Sequence, residues 1–191
     1  MSSILKVDQL QDSGGNAIIT SDGSGNLTAG TIPAKTIGAG AVLQVLSTSK
    51  TDTFTTTSNS FVDITGFTVS ITPSSTSSKI FVMANLNCSG TAGVTAQYLN
   101  LVRDSTDLLK GDAAGSRARV STANITADNA VSVTSSMSFL DSPSSTSALV
   151  YKVQTASSAS GTVYVNRTNS DTDDFTRARG ASTITVMEIA G

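Results

Sequence analysis

The chain of 191 residues contains no histidine and no tryptophan, one cysteine (Cys88) and one glutamate (Glu188). Histidine, cysteine and glutamate are the side chains that most often carry out proton transfer and nucleophilic catalysis. A catalytic triad based on histidine is excluded, and a single cysteine forms no intrachain disulfide. The pattern selects no catalytic, cofactor-binding or metal-binding residue, so we predict a surface or an assembly component that is not an enzyme and needs no cofactor.

Charged residues are also scarce, at 14% of the chain, with a net charge of -2. Without a basic excess, we expect no nucleic-acid partner. No apolar run approaches the roughly 18 residues of a membrane span, and the N-terminus has no apolar core of signal-peptide length. We therefore expect that the chain does not insert into a membrane. We also expect that it is made in a reducing cytosol. Because cross-links are lacking, stability outside a cell would have to come from oligomerisation.

Serine and threonine make up about 30% of the chain, and valine, isoleucine, threonine and phenylalanine dominate its apolar runs. These residues favour strands. Alternating apolar and polar side chains recur between turn signals, which is typical of short, half-buried strands. The segments are 42–46, 51–55, 67–71, 80–88, 99–101, 131–139, 149–153, 163–165 and 182–189. Roughly ten such strands predict an all-β fold, an antiparallel jelly-roll sandwich over residues 41–191.

Residues 1–40 have a different pattern. Two turn clusters, at 12–16 and 22–26, both read Asp-x-x-Gly-Asn. Short apolar pieces flank them, which predicts a small β-meander followed by a linker at 31–40. So short a segment cannot bury enough area to fold alone. We therefore predict that it anchors the chain to a partner. The candidate anchor residues are Leu5, Val7, Leu10, Ile18 and Ile19.

Two of the predicted strands are apolar on both faces. Phe81 and Met83 interrupt the alternation of segment 80–88, and Met187 and Ile189 do so in segment 182–189. An isolated sandwich needs only one buried face per strand. The second apolar face therefore predicts an interface with other copies of the chain, formed by these four residues. The alternative is that loops of the same chain cover them.

Several stretches resemble a known group of proteins. The sequence ILKVDQLQ at 4–11, with GNAI at 15–18, resembles the N-terminus of tail-fibre-like virion proteins of marine tailed bacteriophages, cyanophages among them. Further stretches resemble the distal domain of the same group: SFVDITG at 60–66, TSSKI at 76–80, LVRD at 101–104, FLDSP at 139–143 and STITVMEI at 182–189. The resemblance implies a homotrimeric jelly-roll head, similar to tumour-necrosis-factor-like trimers, and an N-terminal segment attached to the virion.

The leading hypothesis is therefore a non-enzymatic virion protein, a tail fibre or short spike. Its N-terminal segment would bind other virion proteins, and its head would contact a host cell-surface glycan or protein. The chain has no long repetitive shaft, which leaves a first alternative, a capsid decoration or head-fibre protein that clamps shell subunits by strand addition. The second alternative is a small polysaccharide depolymerase, although nothing selects a carboxylate pair among thirteen aspartates.

Two Arg-x-Arg pairs are the best candidates for functional charges. In an extended segment, residues i and i+2 point the same way. Each pair would thus present two guanidinium groups to acidic sugars or phosphates of a cell envelope. The pairs are Arg117 with Arg119 and Arg177 with Arg179. The simpler interpretation is that they form ion pairs, within or between protomers, with Asp112, Asp171, Asp173 or Asp174.

The segment that begins at Asn169 imitates a calcium loop. Asn169, Asp171 and Asp173 occupy its first, third and fifth positions, but the sixth is Asp174 instead of glycine and the twelfth is Gly180 instead of glutamate. The match fails. We interpret 169–174 as a solvated acidic loop. The alternative is a calcium site with a non-standard set of ligands.

Overall fold

The computed structural model describes residues 9–24, 27–29, 38–92, 95–126 and 128–191. Within those ranges every helix-or-strand element is a strand, and all strand pairs are antiparallel, which confirms the predicted all-β class. The chain divides into two compact units, residues 1–41 and 42–191.

The first unit contains a three-stranded meander of β1 (Gln9–Gln11), β2 (Ala17–Ser21) and β3 (Leu27–Ala29). The turn between β1 and β2 explains the first Asp-x-x-Gly-Asn cluster. The Asp12 carboxylate accepts hydrogen bonds from the backbone N–H groups of Gly14 (2.8 Å) and Asn16 (2.9 Å). Gly15 has φ = 82°, a left-handed conformation that glycine adopts without steric cost.

The described residues of the second unit form eleven strands in two sheets. They are β4 (Val42–Lys50), β5 (Phe54–Thr56), β6 (Val62–Ile71), β7 (Lys79–Gly90), β8 (Ala96–Arg103), β9 (Thr106–Leu109), β10 (Thr122–Ile125), β11 (Val133–Asp141), β12 (Leu149–Ser157), β13 (Val163–Val165) and β14 (Ser182–Ile189). The strand signals in the sequence missed β9, TDLL, in which the two leucines are adjacent, and β10, TANI, in which the one large apolar side chain, Ile125, is exposed.

Strand pairing in this unit is nested. Along the chain, β4 pairs with β14, β6 with β12, β7 with β11, and β8 with β10. The result is a six-stranded sheet, in the order β4-β14-β7-β13-β5 with β11 on β7, and a five-stranded sheet, in the order β10-β8-β12-β6 with β9 on β8. The outermost pairs therefore enclose the inner ones, and strands distant in sequence become neighbours.

One hydrophobic core is built from both sheets. On β7, the predicted apolar face of Ile80, Val82, Ala84, Leu86 and Cys88 is fully buried. Leu99 and Leu101 of the five-stranded sheet are fully buried in the same cluster. The alternation in the sequence thus predicted correctly which side of these strands forms the core, because successive side chains of a strand point to opposite faces.

The direction of β14 defines two ends of this unit. Val42, where the polypeptide enters the unit, pairs with Ile189, whereas Lys50 pairs with Ser182. At about 3.3 Å per residue, the two ends of β14 are about 23 Å apart. The connection from β13 to β14, residues 166–181, therefore lies at the opposite end of β14 from the point where the chain enters.

Candidate functional site

The outer face of the six-stranded sheet carries an apolar row that runs across four strands. Register places Met187 of β14 between Val45 of β4 and Phe81 of β7, and Phe81 in turn opposite Leu140 of β11. Val45 and Leu140 are exposed, at 52% and 47%, and Phe81 and Met187 are partly exposed. Four apolar side chains from distant parts of the chain thus form one continuous band that the described residues leave open to solvent.

Outside this row the outer face also carries Met83 and Ile189, and its other side chains are mostly polar and nearly uncharged. Its hydroxyl and amide side chains pair across strands: Ser47 and Thr185 are linked at 2.9 Å, and Ser136 donates to Asn85 at 2.7 Å. Met83 and its polar neighbours line a depression of about 260 Å³. Among the outward positions of β4, β7, β11 and β14, all within the described chain, only Lys79 carries a charge.

The four candidate interface residues predicted from the sequence all lie on this outer face. Phe81 and Met83 are outward on β7, and Met187 and Ile189 are outward on the adjacent β14. All four are partly exposed, and no loop of the described chain buries them completely. The register pairs Met187 with Phe81, whereas Met83 lies opposite Thr185 and Ile189 opposite Lys79. Their role as an interface between copies stays a prediction.

The second surface of interest is the β13–β14 loop, residues 166–181, and its base is Asn166. This residue is fully buried and left-handed, with φ = 60°. Its side-chain N–H group donates to the backbone carbonyls of Lys50 (2.8 Å) and Asp52 (3.0 Å), and its side-chain oxygen accepts from the Ser182 hydroxyl (2.6 Å). The backbone of Gly180 donates back to Asn166 over 3.1 Å, which closes the loop at its base.

A carboxylate shared by two arginines forms the middle of the β13–β14 loop. Asp171 accepts hydrogen bonds from Arg167 (2.7 Å) and Arg179 (2.8 Å) at the same oxygen. The hydrogen bond from Arg167, and the positive charge of both arginines, hold the pKa of Asp171 below its ordinary value. Arg167 also lies over the ring of Tyr164, 4.3 Å from its centroid, a favourable cation–π arrangement.

The tip of the β13–β14 loop displays Phe175, whose side chain is fully exposed. The carboxylate of Asp174, which precedes Phe175, accepts hydrogen bonds from the backbone N–H (2.8 Å) and the hydroxyl (2.7 Å) of Thr176, which follows it. These bonds lower the pKa of Asp174. Burying a phenylalanine is worth about 1.5–3 kcal/mol, so full exposure of this ring leaves a favourable contact unmade.

A polar cavity of about 250 Å³ lies beside this tip. Its lining consists only of charged and hydroxyl side chains: Asp171, Thr172, Asp173, Asp174, Arg177 and Arg179. Within the described chain, the Arg177 guanidinium has neither a hydrogen bond nor an ion pair, and its Nε is buried without a partner. The loop therefore combines an exposed aromatic ring with a small pocket of donors and acceptors.

The structure separates the two Arg-x-Arg pairs. Arg177 and Arg179 belong to the β13–β14 loop, where Arg179 pairs with Asp171, one of the acidic partners expected from the sequence. Arg117 and Arg119 belong to the β9–β10 connection on the edge of the other sheet. There the Arg119 Nε donates to the backbone carbonyl of Gly111 at 2.7 Å. The pairs thus occupy different surfaces, and Arg179 is already engaged by a carboxylate.

The candidate anchor residues lie in the first unit. Leu10 and Ile19 face each other across the β1–β2 pair, with exposures of 52% and 37%, and Ile18 is 48% exposed. Leu5 and Val7 lie outside the described residues. The three described anchor candidates are therefore apolar side chains open to solvent on a small sheet, and their binding role stays a prediction.

The described residues hold no group of three or more histidine, cysteine or acidic side chains placed to bind a metal ion. Cys88, the single thiol, is fully buried, and burial raises its pKa to about 11, well above the range of a reactive thiol. In the same part of the chain, no helix is long and apolar enough to cross a membrane.

Comparison with known proteins adds no relative. No protein-family model matches the chain, and no curated protein matches it significantly.

The site residues that the sequence did not single out are Asn166 and Phe175. A signal for Phe175 was present: it is a lone aromatic residue in the otherwise polar stretch TDDFTR at 172–177, with no alternating apolar neighbour. Asn166 carried no local signal, because its partners come from β4 and β14.

Proposed function

We propose that this chain is a non-enzymatic virion structural protein of a tailed phage, a short trimeric appendage with a jelly-roll head. Its N-terminal segment anchors it to other virion proteins, and the far end of the head contacts the host surface. The resemblance of the N-terminal and head segments to tail-fibre-like virion proteins supports this proposal, and so do three features of the structure.

The nested strand pairing supports a jelly roll. Eight strands that pair first with last and so on inward, and that divide into two four-stranded antiparallel layers, have the connectivity of a double Greek key. The short strands β5, β9 and β13 extend the two sheets without disturbing that order. The pairing is antiparallel throughout, so each layer needs only one buried face.

The main support for a trimer is the composition of the outer face of the six-stranded sheet. In a symmetric assembly, residues near the axis meet their own copies, so a charged side chain there would face an identical charge. The apolar row Val45–Met187–Phe81–Leu140 and its uncharged surroundings suit such a contact. Lys79, the one charge on this face, lies at the first position of β7.

The two ends of β14 support an anchor-and-head arrangement within the second unit. The polypeptide enters this unit beside Ile189, and the β13–β14 loop lies about 23 Å away along β14. Within the second unit, the base of the β13–β14 loop thus lies at the opposite end of β14 from Val42, where the polypeptide enters. Three copies of such a loop would add weak contacts into stable attachment through multivalency.

Two measurements test the proposal. The solution mass of the purified full chain, from light scattering, should correspond to three chains, and a monomer at micromolar concentration would contradict the trimer. Antibody labelling of intact particles in electron micrographs should place the protein on the tail. Label on the capsid would support the decoration-protein alternative instead, and an unlabelled particle would reject a virion role.

A further inference from the structure

We infer that the tip of the β13–β14 loop is a saccharide-binding site, in which Phe175 stacks on a neutral sugar ring and Asp173 and Arg177 bind its hydroxyl groups. This inference deepens the proposed function, because it assigns the host-contacting role to one loop and one class of ligand. The site itself lies within a single copy of the chain, so its binding can be measured whatever the oligomeric state.

The first argument is the aromatic ring. Phe175 is fully exposed in a loop whose neighbours are all polar, and it does not contribute to the core. The face of an aromatic ring carries negative charge density and attracts partially positive hydrogens. The C–H groups on one side of a pyranose present such hydrogens on a flat apolar surface. A solvent-exposed phenylalanine beside polar groups is therefore a suitable platform for a sugar.

The second argument is the fixed position of the ring. Asn166 closes the base of the loop through buried hydrogen bonds, and Asp171 links Arg167 to Arg179 above it. Asp174 then fixes the turn that contains Phe175 by accepting two hydrogen bonds from Thr176. A loop that is already ordered loses little conformational entropy on binding, so the exposed ring is presented without a large ordering cost.

The third argument is the cavity lined by residues that precede and follow Phe175 in the chain. Its volume of about 250 Å³ is smaller than the roughly 300–1,000 Å³ typical of drug-sized ligands. Such a volume suits one or two sugar units at the end of a chain. The Asp173 carboxylate makes no hydrogen bond or ion pair within the described chain, and neither does the Arg177 guanidinium. One free acceptor and one free donor group can thus each engage neighbouring hydroxyls.

The charge of the lining favours a neutral sugar over an acidic one. Three carboxylates and two guanidinium groups line the cavity, and Arg179 is already committed to Asp171. A uronic or sulfated sugar would approach Asp173 and Asp174 with only Arg177 free to balance its charge. The hydroxyls of a neutral sugar, in contrast, both donate to carboxylates and accept from a guanidinium. The two arginines therefore do not form the anion-binding fork that their spacing suggests.

Saturation-transfer NMR on the full chain tests the inference. The probes are methyl glycosides of neutral hexoses, 6-deoxyhexoses and N-acetylhexosamines, together with methyl glucuronide as the acidic probe. We expect at least one neutral glycoside to bind with a Kd of about 10 mM or tighter. Phe175→Ala should weaken that binding at least about tenfold, and Phe175→Trp should preserve it, because the larger ring keeps the stacking surface.

Two matched variants separate stacking and hydrogen bonding from general effects. Phe175→Leu keeps an apolar side chain without a ring and should lose binding as Phe175→Ala does. Asp173→Asn should weaken binding, whereas Asp112→Asn, in the β9–β10 connection, should leave it unchanged. Because Phe175 and Asp173 are exposed loop residues, all these variants should unfold at the wild-type temperature.

Four results would overturn the inference: no binding by any neutral glycoside, binding of methyl glucuronide alone, equal binding by the Phe175→Leu variant, or calcium binding at this loop without sugar binding. None of these results depends on the mass of the assembly or on labelling of particles. If no sugar binds, the appendage proposal still stands. If the chain is a monomer that binds sugar, the trimeric appendage is wrong and the sugar site still stands.

Discussion

The side-chain amide of Asn166 donates a hydrogen bond to the backbone carbonyl of Lys50 over 2.8 Å, although 116 residues separate them in the chain. Asn166 directly follows β13, and Lys50 is the last residue of β4. This contact joins the base of the β13–β14 loop to the edge strand of the six-stranded sheet. A buried residue, distant in the chain from its partner on β4, therefore holds the base of this loop.

Replacement of Asn166 by alanine should lower the free energy of unfolding by about 2–4 kcal/mol, measured by denaturant titration. The variant loses buried hydrogen bonds and places an alanine in a left-handed conformation. Ser144 is the matched control, because it also has a positive φ of 51° but is exposed. Ser144→Ala should cost only about 1 kcal/mol or less. Equal costs at the two positions would show that the Asn166 hydrogen bonds contribute nothing.

The order of the β13–β14 loop should depend on pH through the protonation of Asp171. The pKa of Asp171 lies below its ordinary value of 3.8 in the folded state. The ion pairs of Asp171 therefore stabilise the loop fully above pH 3.8, and this stabilisation is lost as the pH falls through the lower pKa of the folded state. In the wild type, hydrogen-exchange protection of amides in 166–181 should fall below about pH 4. Asp171→Asn should already show weak protection at pH 6. Asp174→Asn, which affects only the turn at the tip, should leave protection at Gly180 intact; a loss there would contradict the central role of Asp171.

A positive charge in the centre of the apolar row should dissociate the trimer that we propose. Met187→Lys places a charge between Val45 and Phe81, where three symmetry-related copies would repel one another. We expect the mass from light scattering to fall from three chains to one while the far-UV circular dichroism spectrum is retained. Leu140→Lys, at the exposed end of the row, provides a second variant.

Ser70→Lys is the control for this experiment, because Ser70 is exposed on β6, in the other sheet. It should leave the mass at three chains. If Ser70→Lys dissociates the assembly and Met187→Lys does not, the interface lies on the five-stranded sheet and our assignment is wrong.

Tyr151 should stabilise the sandwich through its hydroxyl. This group, fully buried on β12, donates to Asp141 of β11 at 2.7 Å, and Asp141 also accepts from Arg103 of β8. The cluster joins the two sheets. Tyr151→Phe should lower the free energy of unfolding by about 1–3 kcal/mol. Tyr164→Phe should change it by less than about 0.5 kcal/mol, because the Tyr164 hydroxyl has no hydrogen bond within the described chain.

Alkaline pH provides a second measurement on Tyr151. Burial, and then the hydrogen bond to Asp141 and its negative charge, raise the pKa of Tyr151 above its ordinary value of 10.0. The neutral form is favoured in the folded state, so this contribution is complete below pH 10 and is lost as the pH rises further. The wild type should therefore lose stability above pH 10 more steeply than Tyr151→Phe. Parallel curves would show that the hydroxyl is not coupled to folding.

The sequence predicted the fold class and the core face of the long strands, but it did not predict the partners of those strands. Alternation in 80–88 and 182–189 is a local signal, and burial follows it residue by residue. The strands β9 and β10 escaped prediction because the two leucines of β9 are adjacent instead of alternating, and because β10 has one large apolar residue, Ile125, which is exposed. The sequence indicated that the strands at 80–88 and 182–189 have a second apolar face. The pairing register between strands, which the sequence did not predict, decides that the apolar residues of four strands form one row.

The sequence by itself determined which side chains of each long strand point inward, because a strand exposes alternate residues to opposite faces whatever its neighbours are. It also determined that neither a catalytic triad based on histidine nor an intrachain disulfide can form, because the chain has no histidine and one cysteine. Only the tertiary structure decided that Val45, Phe81, Leu140 and Met187 form one row, and that Phe175 lies on an ordered loop. These relationships join residues far apart in the chain, and long-range strand pairing, unlike local alternation, is set by the packing of the whole sandwich.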